Sequence, residues 1–396
     1  MAHTHDKRKL DNPPVGTLGV IALDGCQELG DKIDDYLIGW REDRENEHKN
    51  SLAFNGYLRN SYMLGYSLPR FGSGEGKGMI NESVRGMDLF LLVDICNYSV
   101  TYSMFGEENH MSPDDHYQNL KRIIAAVGGK ARRITVIMPF LYESRQHRRS
   151  SRESLDCAIA LQELVKMGVD NIITFDAHDP RVMNSIPLHG FETVQPSYQF
   201  IKGLLGKVKD LKIEPAHMMV VSPDEGGMSR AIYMANVLGL DMGMFYKRRD
   251  YTRVVDGRNP IVAHEFLGSE VAGKDILVID DMIASGESVI EVARELKSRN
   301  ARRIFIAATF GLFSKGLSAI NDAVKEGAIA GVLTTNLVYQ SPELLASPWY
   351  ISCDMSKYLA YIIDTLNHDS SISDLLDPNQ RIQSLVSRYK RGEDVE

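Results

Sequence analysis

The sequence predicts an α/β protein of two domains, each a mainly parallel sheet flanked by helices. Three observations carry this. Short runs rich in Val, Ile and Leu recur along the chain, each followed by a polar loop and then a helical stretch. The runs are apolar throughout rather than alternating, the mark of strands covered on both faces. The rhythm persists over most of the 396 residues, more than one domain holds at roughly 100–200 residues each.

Taken in order, the predicted strands are residues 17–22, 89–94, 134–138, 172–175, 218–222, 242–246, 276–279 and 304–308. Residues 155–167 and 289–296 read as helices between them. In the second, Val289, Val292, Ala293 and Leu296 keep the i, i+3, i+4, i+7 spacing of one helix face. A break at 187–196, with proline at each end, divides the chain into domains at 15–190 and 191–380. The residues from 377 on are polar, and 381–396 read as a tail.

Composition narrows the class. With 43% hydrophobic and 25% charged residues the chain is an ordinary globular one, neither disordered nor fibrous. Its apolar runs are strand-sized, far below the roughly 20 residues of a membrane helix, so no membrane role is expected. Residues 1–14 are polar and unlike a secretory signal. Cys26, Cys96, Cys157 and Cys353 lie far apart, which argues against a disulfide framework or zinc ribbon. The expectation is a cytoplasmic protein. A net charge of −8 disfavours nucleic acid as a partner. The cations gather in two islands, Arg145, Arg148, Arg149 and Arg152, then Lys247, Arg248, Arg249, Arg253 and Arg258. Local islands on an acidic chain suit a small polyanion such as a nucleotide or sugar phosphate.

In open α/β sheets ligands bind where loops leave the carboxyl ends of strands, and the most informative such loop follows 276–279. There Asp280 and Asp281 precede Met282-Ile283-Ala284-Ser285-Gly286-Glu287-Ser288 and a helix. Main-chain N–H groups at a helix start, the Ser285 and Ser288 hydroxyls and the freedom of Gly286 make an anion cradle. The paired carboxylates can accept hydrogen bonds from sugar hydroxyls. The plainer reading is a helix cap without a ligand.

This loop resembles the phosphoribosyl-diphosphate binding loop of type I phosphoribosyltransferases, and the wider sequence is similar to the ribose-phosphate pyrophosphokinase family. Phe71-Gly72-Ser73-Gly74-Glu75 and Asn81-Glu82-Ser83-Val84-Arg85-Gly86 resemble its F-x-D-G-E and E-S-V-R-G run. Arg145-Gln146-His147-Arg148 resembles its R-Q-D-R loop, and Phe175-Asp176-Ala177-His178 its M-D-L-H. Val221-Ser222-Pro223-Asp224-Glu225-Gly226-Gly227 resembles V-S-P-D-x-G-G, and Tyr246-Lys247-Arg248-Arg249 the K-R-R start of a mobile catalytic loop. The motifs occur in the family's order over about residues 15–376. The resemblance implies two phosphoribosyltransferase-like domains. It also implies a homo-oligomer, a dimer building up to a hexamer, because the family's F-x-D-G-E segment reaches the ATP site of a neighbouring subunit.

The residue types fit those roles. An imidazole and a carboxylate, His178 and Asp224, can share Mg²⁺, which takes one or two protein ligands plus substrate phosphates; Asp224 can equally cap the loop before Gly226 and Gly227. Arg145 can fork onto a phosphate or stack on a base. Gln146 can read an adenine edge, and Phe71 offers an aromatic face, or is simply core. Ser73, Glu75 and His147 complete the ATP set that the resemblance implies, and Asp280, Asp281, Ala284, Ser285, Gly286, Glu287 and Ser288 the ribose 5-phosphate set. Lys247 and Arg249 can neutralise a transferring phosphoryl group, with His178 beside them in the catalytic set.

The implied reaction moves the β,γ-diphosphoryl group of Mg·ATP to ribose 5-phosphate. Against the family pattern, Ser73 stands for Asp or Asn, His147 for Asp, Ala284 for Asp and Glu287 for Gly. The stretch after Arg148 is one residue shorter, and regions 38–61 and 98–116 look expanded. Two rivals remain: a phosphoribosyltransferase that consumes the diphosphate, and a non-catalytic regulatory subunit.

Overall fold

A computed structural model describes residues 10, 12–48, 56–249 and 261–395, the side chains of 45–48, 247–249 and 261–264 excepted. The chain forms two compact units that are not contiguous in sequence. Unit 1 is Met1–Gln195 with Asn336–Tyr339 and Asp354–Leu376; unit 2 is Pro196–Thr335 with Gln340–Cys353 and Asp377–Glu396.

Unit 1 opens with β1 (Leu18–Ala22) and α1 (Gln27–His48), then two short strands, β2 (Tyr66–Ser67) and β3 (Met79–Ile80). Next come β4 (Asp88–Leu92) and a hairpin of β5 (Thr101–Met104) and β6 (Glu107–His110). After it follow α2 (Pro113–Val127), β7 (Arg133–Ile137), α3 (Asp156–Lys166), β8 (Asn171–Phe175) and β9 (Gly190–Val194). The five long strands make a parallel sheet in the order β1-β4-β7-β8-β9. β9 thus lies in the first unit's sheet, beyond the boundary set at residue 190 from sequence. Its register against β8 places Phe191 and Val194 in the core, which holds the segment there.

Unit 2 holds α4 (Ser197–Lys207), β10 (Met218–Ser222), α5 (Met228–Leu238), β11 (Asp241–Arg249) and β12 (Ile261–Leu267). It continues through β13 (Asp275–Ile283), α6 (Glu287–Ser298), β14 (Arg303–Gly311), α7 (Ser318–Lys325), β15 (Gly331–Thr335), α8 (Pro342–Leu345) and β16 (Tyr350–Cys353). The chain then returns to unit 1 with α9 (Ser356–Asn367) and α10 (Ser373–Leu376), and ends in unit 2 with α11 (Asn379–Lys390). The unit 2 sheet runs β12-β11-β10-β13-β14-β15-β16, parallel except for β12. Its strands alternate sides as the pleat requires. Met219, Val221, Ile276, Val278, Ile304 and Ile306 pack toward α6 and α7. Val220, Leu277, Ile279, Phe305 and Ala307 face α4, α5 and α11. At roughly 1.5–3 kcal/mol per buried large aliphatic side chain, these two layers dominate the stability of the unit.

Three expectations are corrected. The tail expected at 381–396 is not one over its described residues: α11 buries Ile382 and Leu385, and the Tyr389 hydroxyl donates to Val208 O at 2.8 Å while accepting from the Leu211 N–H at 2.9 Å. Residues 354–376 belong to unit 1, because α9 packs on α1. The strand predicted at 276–279 continues to Ile283, its far end pairing Met282 with Phe310 and Ile283 with Gly311. Asp280 and Asp281 therefore lie within the strand. No helix among the described residues is long and apolar enough to cross a membrane.

Candidate active site

In unit 2 the strand order reverses beside β10: the chain leaves it toward β11 on one side, and β13 leads to β14 on the other. The crevice at the carboxyl ends of two such strands is where open α/β sheets bind ligands. Asp224 follows β10 and Asp280 lies near the end of β13, its parallel neighbour. The Asp224 Oδ1 accepts hydrogen bonds from the Gly226 and Gly227 N–H groups at 2.9 and 3.2 Å, so one of its oxygens caps the turn into α5. A Cβ on Gly227 would lie 2.8 Å from Ser222 Oγ, so a larger residue there would have to displace that hydroxyl. Burial and the negative charges of Asp281 and Asp224 raise the Asp280 carboxyl well above the ordinary range, although the Asp281 N–H donates to its Oδ1 at 2.8 Å. Asp281 is only 7% exposed and lies 3.8 Å from the Arg230 guanidinium, which also donates to Gly226 O. Arg230 was not picked out from sequence; its only signal is a cation three residues past a double glycine.

After β13 the chain turns at Gly286 into α6. Gly286 caps α6 with φ at +87°, a backbone state that side chains disfavour, and contributes no side-chain cap. The Glu287 N–H makes a long 3.5 Å bond to Ser285 Oγ. An amphipathic helix entered through glycine in this way offers its first-turn N–H groups and the positive end of its dipole to an anion. Ala284 and Ser285 are half-buried, Glu287 and Ser288 exposed. Glu287, where the family has glycine, is neutralised by Lys315 at 2.7 Å, and that cation holds its carboxyl below the ordinary range. The backbone of Lys247 and Arg249 lies in β11, opposite His264 and Ile261 of β12, with an irregularity between Arg248 and Arg249. Their side chains, and the expected catalytic loop at 250–260, lie outside the described residues.

In unit 1 three loops carry the remaining candidates. Phe71 is 58% exposed, so it is not core. It opens a tight turn, with the Gly74 N–H donating to Phe71 O and the Phe71 N–H to Glu75 O, both at 2.8 Å. The Ser73 hydroxyl donates to the Glu75 carboxylate at 2.9 Å. Beyond β7, Arg145 and Gln146 are exposed, whereas His147 is mostly buried, with Nε2 3.5 Å from Asp179 Oδ2. Its ring lies 5.4 Å from that of exposed His178, centroid to centroid. The loop after β8 thus meets the loop after β7. Asp176 starts it in the left-handed region at φ +41°, its N–H donating to Val194 O. Hydrogen bonds from Arg181 hold the Asp179 carboxyl down at about 2, so it stays charged. Burial keeps the His147 imidazole below its ordinary value, with Asp179 opposing and His178 and Arg148 reinforcing the shift. His147, a departure from the family's Asp, is therefore a neutral ring against a fixed carboxylate. Among the described residues no three His, Cys, Asp or Glu side chains gather as a metal-holding group.

Comparison with known proteins places the chain in a family. Residues 18–168 match the family model described as the N-terminal domain of ribose phosphate pyrophosphokinase, and residues 191–326 that of the phosphoribosyl transferase domain. The ribose-phosphate pyrophosphokinase of Vibrio parahaemolyticus is 30% identical over 312 residues, covering 78% of this chain and 89% of its own. That of Pasteurella multocida is 32% identical over 314 residues, with the same coverage. The crystal structure of phosphoribosylpyrophosphate synthetase from Mycobacterium smegmatis shares the fold, with a TM-score of 0.68 at 22% identity over 89% of this chain and 100% of that one. The chain belongs to the ribose-phosphate pyrophosphokinase family.

Proposed function

We propose that this protein transfers the β,γ-diphosphoryl group of ATP to the anomeric hydroxyl of ribose 5-phosphate. The sugar oxygen bonds to the β-phosphorus, the bond from that phosphorus to the α-phosphate oxygen breaks, AMP leaves, and the hydroxyl proton is released. The observation that carries this reading is the arrangement in unit 2: an anion cradle at Gly286, directly after two aspartates and beside Asp224, at the point where the strand order reverses. Ribose 5-phosphate places its phosphate on the first-turn amides of α6, with Ser285, Gly286, Glu287, Ser288 and Ala284 around it. Asp280 and Asp281 accept hydrogen bonds from its ring hydroxyls. ATP is held through Phe71, Ser73 and Glu75 and through Arg145, Gln146 and His147.

Mg²⁺ suits the donors present. Burial first, and then the neighbouring Asp281 and Asp224 carboxylates, drive the Asp280 carboxyl up, and a divalent cation beside them offsets that negative charge while taking its remaining ligands from phosphates and water. His178 and Asp224 are the protein ligands we assign to it. When bound, Mg²⁺ neutralises charge on the phosphate oxygens. The chain contributes position and charge: Lys247 and Arg249 stabilise the equatorial oxygens of the transferring group, which asks for little covalent chemistry from the protein. The exposed ring of Phe71 supports a homo-oligomer in which that segment serves a neighbouring copy, a dimer assembling toward a hexamer. A cytoplasmic location fits those substrates.

The test is AMP release from purified protein with Mg²⁺ and ATP, with and without ribose 5-phosphate. AMP that depends on the sugar supports the reading, and its absence favours a non-catalytic subunit. In the active protein, K247A/R249A should lower kcat about 10³-fold, the scale of removing a charge-stabilising cation in phosphoryl transfer, with far less change in KM for ATP. Turnover close to normal in that variant removes both residues from the mechanism.

A further inference from the structure

The β5–β6 hairpin falls in the expanded region 98–116, and it touches the turn at 71–75. Its two-residue loop, Phe105 and Gly106, has both φ angles positive, at +51° and +84°, the tight type that matches strand twist. The Phe105 N–H donates to Gly72 O at 2.8 Å. Gly74 has φ at +93°, a backbone state that side chains disfavour, and a Cβ there would press on Met104 Sδ at 2.6 Å, so glycine lets turn and hairpin close together. Arg70 joins the two. Its Nη1 donates to Gly74 O at 2.9 Å, its Nη2 to Asp115 Oδ1 at 3.1 Å, and its guanidinium lies 4.3 Å from the centroid of the Tyr102 ring. Asp115 is fixed in turn, since it forms the capping box that starts α2 with Ser112. The Arg70 side chain is 9% exposed, and its buried Nε has no hydrogen-bond partner among the described residues. An orphaned buried donor weakens a fold. Its other nitrogens are engaged by Gly74 O and Asp115, with the Tyr102 ring against the plane, so the guanidinium is held by the turn, the hairpin and the start of α2 together.

We propose that Arg70 is a positioning residue for the nucleotide: braced by the β5–β6 hairpin and by Asp115, it fixes the turn that presents Phe71 and Glu75. The turn's carbonyl at Gly74 is pinned by Arg70 and its carbonyl at Gly72 by the hairpin, so the ring of Phe71 and the carboxylate of Glu75 emerge in one orientation. Preorganisation of this kind is expressed as ground-state binding of the ligand that the turn touches. The inference rests on the assignment of that turn to ATP.

Steady-state kinetics decide it, with ATP and ribose 5-phosphate varied separately in the wild type, R70M and Y102L. R70M should raise KM for ATP about tenfold, the scale of losing a charge-assisted hydrogen bond, with KM for ribose 5-phosphate within about twofold. Y102L should move KM for ATP the same way by a smaller factor. A purely structural role would lower the active fraction, and so kcat, with both KM values unchanged; that outcome in both variants overturns the proposal, as does an unaltered KM for ATP. If R70M does not fold, Y102L and D115N decide by the same criterion. A wild type that forms no AMP overturns the assigned reaction and this inference with it, whereas an active wild type with unaltered variants overturns this inference alone.

Discussion

At Asp280 the fold works against its own stability. Burial, Asp281 and Asp224 all drive its carboxyl toward the protonated form, and one backbone N–H opposes them. Charge held in this way is expected where a ligand relieves it. Asp280→Asn keeps an acceptor for the Asp281 N–H and removes the repulsion. The variant should be as stable as the wild type or more so, yet lose the sugar: KM for ribose 5-phosphate should rise about tenfold or more, given roughly 1.5–3 kcal/mol for a hydrogen bond to a charged group. Thermal unfolding and initial rates on the same preparation check both halves. A variant that is less stable with unchanged KM would make Asp280 a structural residue.

Among elements, α9 meets α1 around a buried ion cluster as well as through its apolar side chains. Asp364, fully buried, accepts from Arg41 at 3.3 Å and from Arg44, both on α1. The Arg41 guanidinium also lies 4.5 and 4.8 Å from the ring centroids of Tyr57 and Tyr62, and it donates to Asn367 at 2.7 Å. Trp40 and Tyr361 stack beside the cluster, 4.4 Å between centroids. Removing one partner of such a group leaves uncompensated buried charge, so Asp364→Asn should cost about 3–5 kcal/mol. Denaturant unfolding of that variant measures it, and a loss under 1 kcal/mol would mean that water reaches the arginines. Nothing in local sequence ties position 364 to position 41, and that is why the division of the chain into two consecutive domains misplaced residues 354–376. What was legible is local. Apolar runs such as Leu89-Phe90-Leu91-Leu92 gave strands, and the spacing of Val289 to Leu296 gave α6. The helix at α11 was missed because its polar residues outweigh Ile382, Leu385 and Tyr389, although these keep a helical interval. In the same way the loop motifs single out Asp224, Asp280, Gly286 and Arg145 as candidates. The cations that brace these loops, Arg70 on Gly74, Arg230 on Gly226 and Asp281, and Lys315 on Glu287, come only with three-dimensional contact.

For the molecule as a whole, the same cluster sets a limit on acid tolerance. His368 is fully buried, and its pKa is lowered to about 4 by burial, with Arg41 and Arg44 reinforcing the shift and Asp364 opposing it. The hydrogen bonds agree with a neutral ring: Nδ1 lies 2.7 Å from Asp364 O, an acceptor only, and Nε2 lies 3.1 Å from the Tyr57 hydroxyl. That hydroxyl already accepts from Arg44 at 2.8 Å, which leaves its own proton for Nε2. A lowered histidine has a definite sign. Above the ordinary value of about 6.5 both states are neutral and stability is flat; between about 6.5 and 4 the unfolded chain binds a proton that the folded one refuses, so stability falls with pH. The loss from this residue approaches about 3 kcal/mol by pH 4, at 1.36 kcal/mol per unit. His116 and His147, also held below their ordinary values chiefly by burial, add to it in the same direction. His368→Gln should therefore flatten the curve, reducing the protons taken up on unfolding near pH 5 by about one, while the contributions of the other two persist. Unfolding free energies of the unit containing His368, followed from pH 7.5 to 4.5 in both proteins, measure that slope. Identical slopes would mean that His368 is already protonated in the folded state, with Tyr57 and Asp364 arranged differently around it.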